Sequence, residues 1–459
     1  MVFSSSVFLF TFLPLFLAGY LIIPSIPAKN VVLLLFSLVF YAWGEPVYVF
    51  LMLGSIVANW MLALIVGRCA TKSIMRKAFL VLALSLNIAI IGLFKYESFF
   101  ALNANRVLGE GFIADLGLSL PIGISFFTLQ AISYVVDVYR GEVVPQRNPL
   151  YLGMYIAMFP QLVAGPIVRY AQIEKEVRNR RATLTKFAQG LRLFTIGLGK
   201  KCLLANTCAV LASFLLSQDA SAIGFVGCLS GALAYTFQIY FDFSGYSDMA
   251  IGLGKMMGFD YPRNFNYPYI SQSVTEFWRR WHMTLGSFFR DYVYIPLGGS
   301  RVSKARWLLN ILIVWALTGI WHGAAWNFLL WGLYYGILLI LEKLFLLKAL
   351  SHCPRPIRHC YCVVTFIFGW VLFSVSGLGN VGEWLAGLFG AYGLLGTSTL
   401  WELQSWSYIS LFPFLAIGTT PVFPWARKRI EAWALDAKTM HIVAAPEKGN
   451  DYPPLVRFR

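Results

Sequence analysis

The chain contains about eleven apolar runs, and most of them are long enough to cross a lipid bilayer as a helix. A spanning helix needs about 20 mostly apolar residues, with a usual range of roughly 17–25. The runs lie near residues 7–23, 30–44, 47–66, 78–94, 116–136, 191–216, 222–243, 307–322, 325–346, 361–376 and 407–425. Inside hydrocarbon every backbone polar group must be paired, which long apolar runs achieve as helices. The sequence therefore predicts an all-α polytopic membrane protein.

Composition agrees with this fold class. The 459 residues are 58% hydrophobic and 13% charged, whereas soluble domains contain about 25% charged residues. Lysine and arginine exceed aspartate and glutamate by 37 to 21, which gives a net charge of +16. In a soluble protein this excess would suggest nucleic acid, but in a membrane protein basic residues collect in cytoplasmic loops. We therefore predict a lipid bilayer as partner and no nucleic acid.

Loops rich in basic residues alternate along the chain with loops that hold few. The basic clusters are Arg68–Lys77, Arg169–Arg192, residues 343–358 and the tail from Arg427. Intervening loops, such as 95–115, are poorer in basic residues. Under the positive-inside rule this alternation predicts an N-terminus outside and a C-terminus in the cytoplasm. We expect one membrane domain at 1–425 and a basic cytoplasmic tail at 426–459.

Two segments lack the pattern of a simple span. Tyr240–Ser300 mixes charged residues with aromatics and glycines. Charged side chains at membrane depth cost roughly 2.5–3.5 kcal/mol each, and irregular backbone is tolerated there only inside protein or beside a water-filled cavity. We therefore predict short helices embedded at the cytoplasmic side. Tyr151–Pro166 is apolar but contains Pro160 and Gly165, which predicts a re-entrant or broken segment.

Two histidines lie in apolar, aromatic surroundings. His322 ends a predicted span, in LTGIWHGAAWNFLLWG, and His282 lies in FWRRWHMTLGSFFRDY. The second stretch predicts one amphipathic helix with Trp278, His282, Leu285 and Phe289 on one face. A buried histidine can simply bond a backbone carbonyl, but ionisable residues at membrane depth are functional hypotheses by default. Histidine is also the usual general base near neutral pH, and the sequence contains no G-x-S-x-G, Walker or H-E-x-x-H motif.

The other histidines carry weaker hypotheses. His352 and His359 lie in SHCPRPIRHCYC with three cysteines, but their spacing matches no standard zinc pattern, so we predict no metal. His441 lies in the tail, where we expect it to be solvated.

Several motifs occur in order along most of the chain. They include MVFSSSVFLF, FYAWGEP, LPIGISFFTLQAISYVVDVYRG, MFPQLVAGPI, YFDFSGYSDMAIGLG, NFNYPYISQSVTEFWRRWH, RDYVYIPLGGSR and the later WHG. Together they resemble the membrane-bound O-acyltransferase family, and within it the bacterial alginate O-acetyltransferase-like subgroup. One such motif would be weak, but the ordered series is specific.

The resemblance implies a bacterial inner-membrane enzyme with about eleven spans around a tunnel. It implies that His322 is catalytic and lies deep in the tunnel, with His282 as the second catalytic histidine on the cytoplasmic side. It also implies acetyl-CoA as a cytoplasmic co-substrate with no bound cofactor. The acyl group would pass outward to a partner acyltransferase that works with a polysaccharide synthase complex.

Further site residues follow as expectations. The candidates for binding the phosphates of the donor are Arg279, Arg280, Arg290, Lys255 and Arg263, although cytoplasmic loops are basic in any case. The candidates for lining the tunnel are Trp278, Trp321, Trp326, Asp242 and Tyr246. Asp242 and Tyr246, with Ser244 and Asp248, could instead bond the embedded helices.

The main expectation is O-acetylation of an extracytoplasmic polysaccharide such as alginate. Three alternatives stay open. The same chemistry could instead acetylate another polymer, such as cellulose or peptidoglycan, or transfer D-alanine to teichoic acid. A transporter or flippase for a lipid-linked sugar would also need many spans, but inverted repeats are expected for it and we see none in the sequence. A non-catalytic scaffold subunit is the third, and the presence of both histidines argues against it.

Overall fold

The computed structural model describes residues 1–426, 428–430 and 432–433, without the side chain of Leu400. These residues form helices and connecting loops and no strand. The first ten helices are α1 (Leu13–Ile22), α2 (Ile26–Ala42), α3 (Tyr48–Arg68), α4 (Ile74–Leu108), α5 (Ile124–Arg140), α6 (Pro149–Ala157), α7 (Phe159–Leu162), α8 (Tyr170–Arg178), α9 (Leu184–Gly199) and α10 (Asn206–Leu216). The next ten are α11 (Ala220–Met257), α12 (Val274–Arg280), α13 (Met283–Phe289), α14 (Lys304–His322), α15 (Trp326–Leu341), α16 (Leu347–Ser351), α17 (Arg355–Ser374), α18 (Leu378–Leu388), α19 (Leu400–Tyr408) and α20 (Leu411–Gly418).

Six continuous helices among the described residues are long and apolar enough to cross a membrane. They are Tyr48–Arg68, Ile74–Leu108, Leu184–Leu216, Ala220–Met257, Trp326–Ser351 and Arg355–Ser374. Phe8–Ile22 and Ile26–Ala42 are apolar but shorter. The protein is thus an all-helical, multi-pass membrane protein, and the predicted number of eleven spans is not confirmed.

Several predicted boundaries change. Residues 240–257 belong to the long helix α11 and not to a set of short embedded helices. The predicted span at 116–136 begins only at Ile124, because residues 109–123 form a loop with several left-handed glycines. The predicted span at 407–425 is interrupted before α20. The prediction of a broken segment at Tyr151–Pro166 agrees with the structure, where α6 and α7 are separated at Met158.

Phe159 fixes this broken segment inside the bundle. Its ring packs against Phe12 at 5.4 Å, Phe16 at 5.1 Å and Phe40 at 5.5 Å between centroids. Its backbone N–H, which the helix break leaves free, donates to the hydroxyl of Ser37 at 3.1 Å. Irregular backbone is therefore buried here with its hydrogen bond satisfied, as a membrane interior requires.

Helices α9 and α11 approach each other through glycines spaced seven residues apart. A Cβ at Gly197 would lie 2.5 Å from the carbonyl oxygen of Gly245, and one at Gly190 would lie 2.5 Å from that of Gly252. Small residues allow helix backbones in membranes to pack this closely. The contact holds the long helix α11, which carries Phe243 of the candidate site.

The chain divides into two compact units, Met1–Ile409 and Ser410–Arg459. The first contains every helix from α1 to α19 and the whole candidate site, and the second contains α20. Most of the predicted tail at 426–459, including His441, lies outside the described residues.

Candidate functional site

His282 lies at a break between two short helices. The structure does not have the single amphipathic helix that the sequence predicts, because α12 ends at Arg280 and α13 begins at Met283. His282 has φ 43° and ψ 52°, in the left-handed region that residues other than glycine rarely occupy. Such conformations cost about 1–3 kcal/mol and persist where the surroundings hold them, often at functional sites.

A neighbouring loop holds His282 in place. The carbonyl oxygen of Asn264 accepts from the N–H of Met283 at 2.9 Å, which fixes the backbone just after the histidine. The side-chain oxygen of Asn264 lies 3.0 Å from Nδ1 of His282 and accepts from the hydroxyl of Thr284 at 2.9 Å. Because this oxygen can only accept, Nδ1 of His282 carries the proton and Nε2 has a free lone pair.

The other ring nitrogen of His282, Nε2, is buried and makes no hydrogen bond with any described residue. Phe243 packs edge-on against the imidazole, with 4.6 Å between ring centroids. A buried nitrogen with an available lone pair beside a cavity can accept a proton or a hydrogen bond from a ligand.

His322 is the last residue of α14 and lies among aromatic rings. Its ring packs edge-on against Trp321, Trp331 and Phe373, at 4.9, 5.0 and 5.2 Å between centroids. The imidazole is partly exposed and makes no hydrogen bond with the described residues. It is therefore not bonded to a backbone carbonyl of the described residues, which was the purely structural alternative for this histidine.

The helices around His322 are held closely together. A Cβ at Gly319 would lie 3.2 Å from Cα of Gly332, and one at Gly332 would lie 3.1 Å from Cα of Gly319. The contact between α14 and α15 thus has no room for side chains at this point. It brings Trp331 of α15 against the imidazole of His322.

Two cavities meet at His282. The larger, of about 610 Å³, is lined by α12, α13 and α14 and includes Trp278, Arg279 and Lys343. The smaller, of about 250 Å³, is lined mainly by aromatic residues and includes Lys95 and His322. Trp281 and His282 line both cavities. We call them the basic cavity and the histidine cavity.

The predicted donor-binding residues divide into two groups. Arg279 and Arg290 line the basic cavity, although Arg290 is already paired with Asp291 at 2.6 Å. The remaining three are not among its lining residues. Arg280 pairs with Glu276 at 2.9 Å, Lys255 pairs with Asp260 at 3.1 Å, and Arg263 is exposed in the loop before Asn264.

Asp260 holds Lys255 in an ion pair outside the lining of the basic cavity. Burial disfavours its ionised form, but the ammonium groups of Lys186 and Lys255 outweigh that effect and lower the pKa of Asp260. Lys255 is therefore neutralised by a carboxylate and is a weak candidate for binding phosphate.

The predicted tunnel-lining residues also divide. Trp278 lines the basic cavity and Trp321 lines the histidine cavity. The other three contact different partners: Trp326 donates to Asn103 at 3.0 Å, Asp242 pairs with Lys201 at 2.7 Å, and Tyr246 stacks on Phe3 at 4.6 Å between centroids.

Three polar residues at the site were missed in the sequence. Lys343 adds to the basic cavity a second cation without a carboxylate partner among the described residues, and Lys95 lies in the histidine cavity. Glu342 is buried and accepts from the N–H groups of Val274 and Thr275 at 2.6 and 2.7 Å. It thereby caps α12, which carries Trp278 and Arg279. A glutamate and a lysine inside an apolar helix were the available signal.

The His/Cys stretch at 352–362 has structural contacts. Nδ1 of His359 lies 3.1 Å from the carbonyl oxygen of Ser271, and Nδ1 of His352 lies 2.8 Å from that of Lys348. Within the described part of the chain, no three His, Cys, Asp or Glu side chains are grouped closely enough to hold a metal ion.

Comparison with known proteins places the site in a family. The profile described as MBOAT, membrane-bound O-acyltransferase family, matches residues 86–381, which include the lining residues of both cavities. The probable alginate O-acetylase of Azotobacter vinelandii is 40% identical over 395 residues, covering 85% of this chain and 78% of that protein. The peptidoglycan O-acetyltransferase of Helicobacter pylori is 36% identical over 434 residues, covering 86% and 81%. The teichoic acid D-alanyltransferase of Bacillus subtilis is 30% identical over 238 residues, covering 49% and 59%. The chain belongs to the membrane-bound O-acyltransferase family.

Proposed function

We propose that this acyltransferase takes an acetyl group from cytoplasmic acetyl-CoA and passes it across the bacterial inner membrane for O-acetylation of an extracytoplasmic polysaccharide such as alginate. The observation that carries the proposal is the meeting of the two cavities at His282. A donor that entered the basic cavity would extend its thioester past Trp281 towards His322. The names of the relatives, acetylases of alginate and peptidoglycan, support an acetyl group as cargo.

His322 acts as the general base in this proposal. An acceptor hydroxyl is a poor nucleophile near neutral pH, and a positioned base that removes its proton typically contributes about 10²–10⁴-fold. The rings of Trp321, Trp331 and Phe373 surround the imidazole with apolar surface. His282, with its lone pair on Nε2, orients the donor or the acceptor at the junction between the cavities.

The direct acceptor is a partner acyltransferase outside the membrane that completes the transfer to the polymer. Alginate is the first candidate because the alginate-type relatives are 40% identical over most of the chain. Peptidoglycan is the second, since the relative that acetylates it is also covered over most of its length. Ester-bound acetate measured on each polymer from cells with and without the protein separates the two.

The first experiment tests the base. In a membrane preparation with labelled acetyl-CoA, we expect His322→Ala to lower acetyl transfer by at least about 10²-fold. His282→Ala should lower it less, because that residue orients and does not take the proton. Folding is checked by size-exclusion in detergent. A well-folded His322→Ala protein with wild-type turnover would contradict the mechanism.

A second experiment tests the donor site. Arg279 and Lys343 line the basic cavity and have no carboxylate partner among the described residues. Replacing both by alanine should raise the apparent KM for acetyl-CoA with little change in kcat. Arg280→Ala is the matched control, since Arg280 is paired with Glu276 outside the cavity lining. Equal effects of the two changes would indicate that Arg279 and Lys343 do not bind the donor and are basic only because they lie on the cytoplasmic side.

A further inference from the structure

Lys95 is a positive charge in the wall of the histidine cavity. Its position at the edge of a predicted outer loop, 95–115, suggests a solvated surface lysine. Instead it lies inside α4, is partly buried and lines the cavity that contains His322. A charged side chain inside a spanning helix costs roughly 2.5–3.5 kcal/mol, so its position calls for a function.

The hydrogen bonds of Lys95 leave part of its ammonium group free. Nζ donates to the hydroxyl of Ser125 at 3.1 Å and to the backbone carbonyl of Trp321, the residue just before His322. It also lies 5.6 Å from the centroid of the Trp321 ring. An ammonium has three N–H donors, and these contacts use two of them. No carboxylate pairs with Lys95 among the described residues, so its charge is not neutralised locally.

We infer that Lys95 is a further catalytic residue, whose ammonium stabilises the negative oxygen that forms during acyl transfer at His322. The inference rests on the proposed function. A fixed cation aimed at developing charge inside a water-poor cavity is among the strongest contributors to catalysis. The anchors on Ser125 and on Trp321 fix Nζ before the reaction begins, so no reorganisation is needed.

Acyl transfer from a thioester begins with attack by the acceptor hydroxyl. The acceptor oxygen bonds to the carbonyl carbon, its proton passes to His322, and the C=O electron pair moves to the carbonyl oxygen, which becomes negative beside Lys95. When the C=O bond re-forms, the C–S bond breaks and the sulfur takes the proton from His322. Coenzyme A leaves as the thiol, and Lys95 remains protonated throughout.

The test compares Lys95→Met with Lys95→Arg in the labelled acetyl-CoA assay. Methionine keeps an apolar side chain of similar length but removes the charge, and loss of one such donor lowers kcat by about 10²–10³-fold. The apparent KM for acetyl-CoA should stay within a few fold of the wild-type value. Arginine should restore part of kcat. Lys95→Gln, which keeps a hydrogen-bond donor without charge, replaces the methionine variant if that one does not fold.

Arg106→Met is the matched control, because it removes a cation from the same helix at an exposed position away from both cavities. It should keep wild-type kcat. Equal losses for Arg106→Met and Lys95→Met, or wild-type kcat in Lys95→Met, would overturn the role of Lys95 while leaving the proposed function intact. A wild-type protein that transfers no acetyl group would overturn the proposed function, and this inference with it.

Discussion

Asn264 sets the chemical state of His282. Its side-chain oxygen accepts from the histidine ring and from Thr284, and the hydroxyl of Thr284 in turn accepts from the N–H of Ile167. This chain of bonds runs from the loop before α8 to the junction of the two cavities. Burial makes each of its members depend on the others, since an unpaired polar group inside protein costs about 1–3 kcal/mol.

We expect Asn264→Ala to lower turnover by on the order of 10- to 100-fold, less than loss of the base itself. Without the acceptor at Nδ1, the ring can adopt the other tautomer and present an N–H to the cavities in place of a lone pair. Steady-state kinetics with acetyl-CoA measures the effect. Thr284→Ser, which keeps the hydroxyl, serves as the control and should retain most of the activity. A normal kcat in Asn264→Ala would show that the tautomer is not important.

The break at His282 could not be predicted from its own stretch. Helical periodicity continues through WRRWHMTLGSFF, and no glycine or proline interrupts it at residues 278–283. The cause is tertiary, because the carbonyl of Asn264, nineteen residues earlier in the chain, accepts from the N–H of Met283. His322 could be proposed as a functional residue from the sequence because a lone imidazole in an apolar run is conspicuous. Lys95 could not be proposed in this way, because the apolar run predicted from hydropathy ends at residue 94, just before it.

At the scale of helices, the α9–α11 contact explains another boundary error. Lys200 pairs with Asp248 at 2.6 Å and Lys201 with Asp242 at 2.7 Å, just beyond the close approach at Gly197. These carboxylates make the second half of α11 appear too polar for a span. Because their partners lie on the neighbouring helix, the helix continues to Met257. Pairing between helices is what a single hydropathy window cannot detect.

The glycine contact gives a prediction about stability. We expect Gly197→Ala to lower stability by roughly 1–3 kcal/mol, because the new Cβ meets backbone atoms that cannot rotate away. Gly199→Ala is the matched control, since nothing lies within 4 Å of a Cβ at that position of the same helix. Thermal unfolding in detergent should show a lower midpoint for the first variant and an equal or higher one for the second. Equal midpoints would contradict the packing argument.

At the scale of the whole molecule, α4 is long enough to reach from one face of the membrane to the other. Its 35 residues extend about 52 Å at 1.5 Å per residue, more than the hydrocarbon core of about 30 Å. Near its start, Arg76 donates to the carbonyl of Tyr139 at 2.7 Å, which joins it to the end of α5. Lys95 lies about 28 Å further along the axis. The basic loop before α4 and the histidine cavity are thus separated by most of the helix.

This geometry gives a test of the proposed orientation. In a cysteine-free background, we expect Glu110→Cys to react with a membrane-impermeant maleimide in spheroplasts. Lys72→Cys should react only after the membrane is opened. Both residues are exposed, on either side of α4, so accessibility within the protein is matched. The reverse labelling pattern would invert the topology that the positive-inside rule predicts.

The sequence was sufficient for the class of fold and for the family, because long apolar runs and ordered motifs are local features. The roles proposed for the two cavities were not accessible from the sequence, since Arg279, Lys343 and Lys95 come from three separate helices. The roles proposed for these residues rest on the lack of a carboxylate partner for each of them among the described residues. Neighbours such as Glu276 and Asp260 neutralise the other predicted cations.

Under the proposed function, the junction at Trp281 and His282 would determine which part of the donor crosses the membrane. Among the lining residues that the structure describes, the two cavities share these side chains alone. An acetyl group has two carbons, whereas coenzyme A carries a nucleotide and several phosphates. Under the proposed function, the carrier stays on the side where metabolism reloads it and only the acyl group moves out. Decoration of an external polymer then consumes acetate equivalents without draining the cell of adenine or phosphorus.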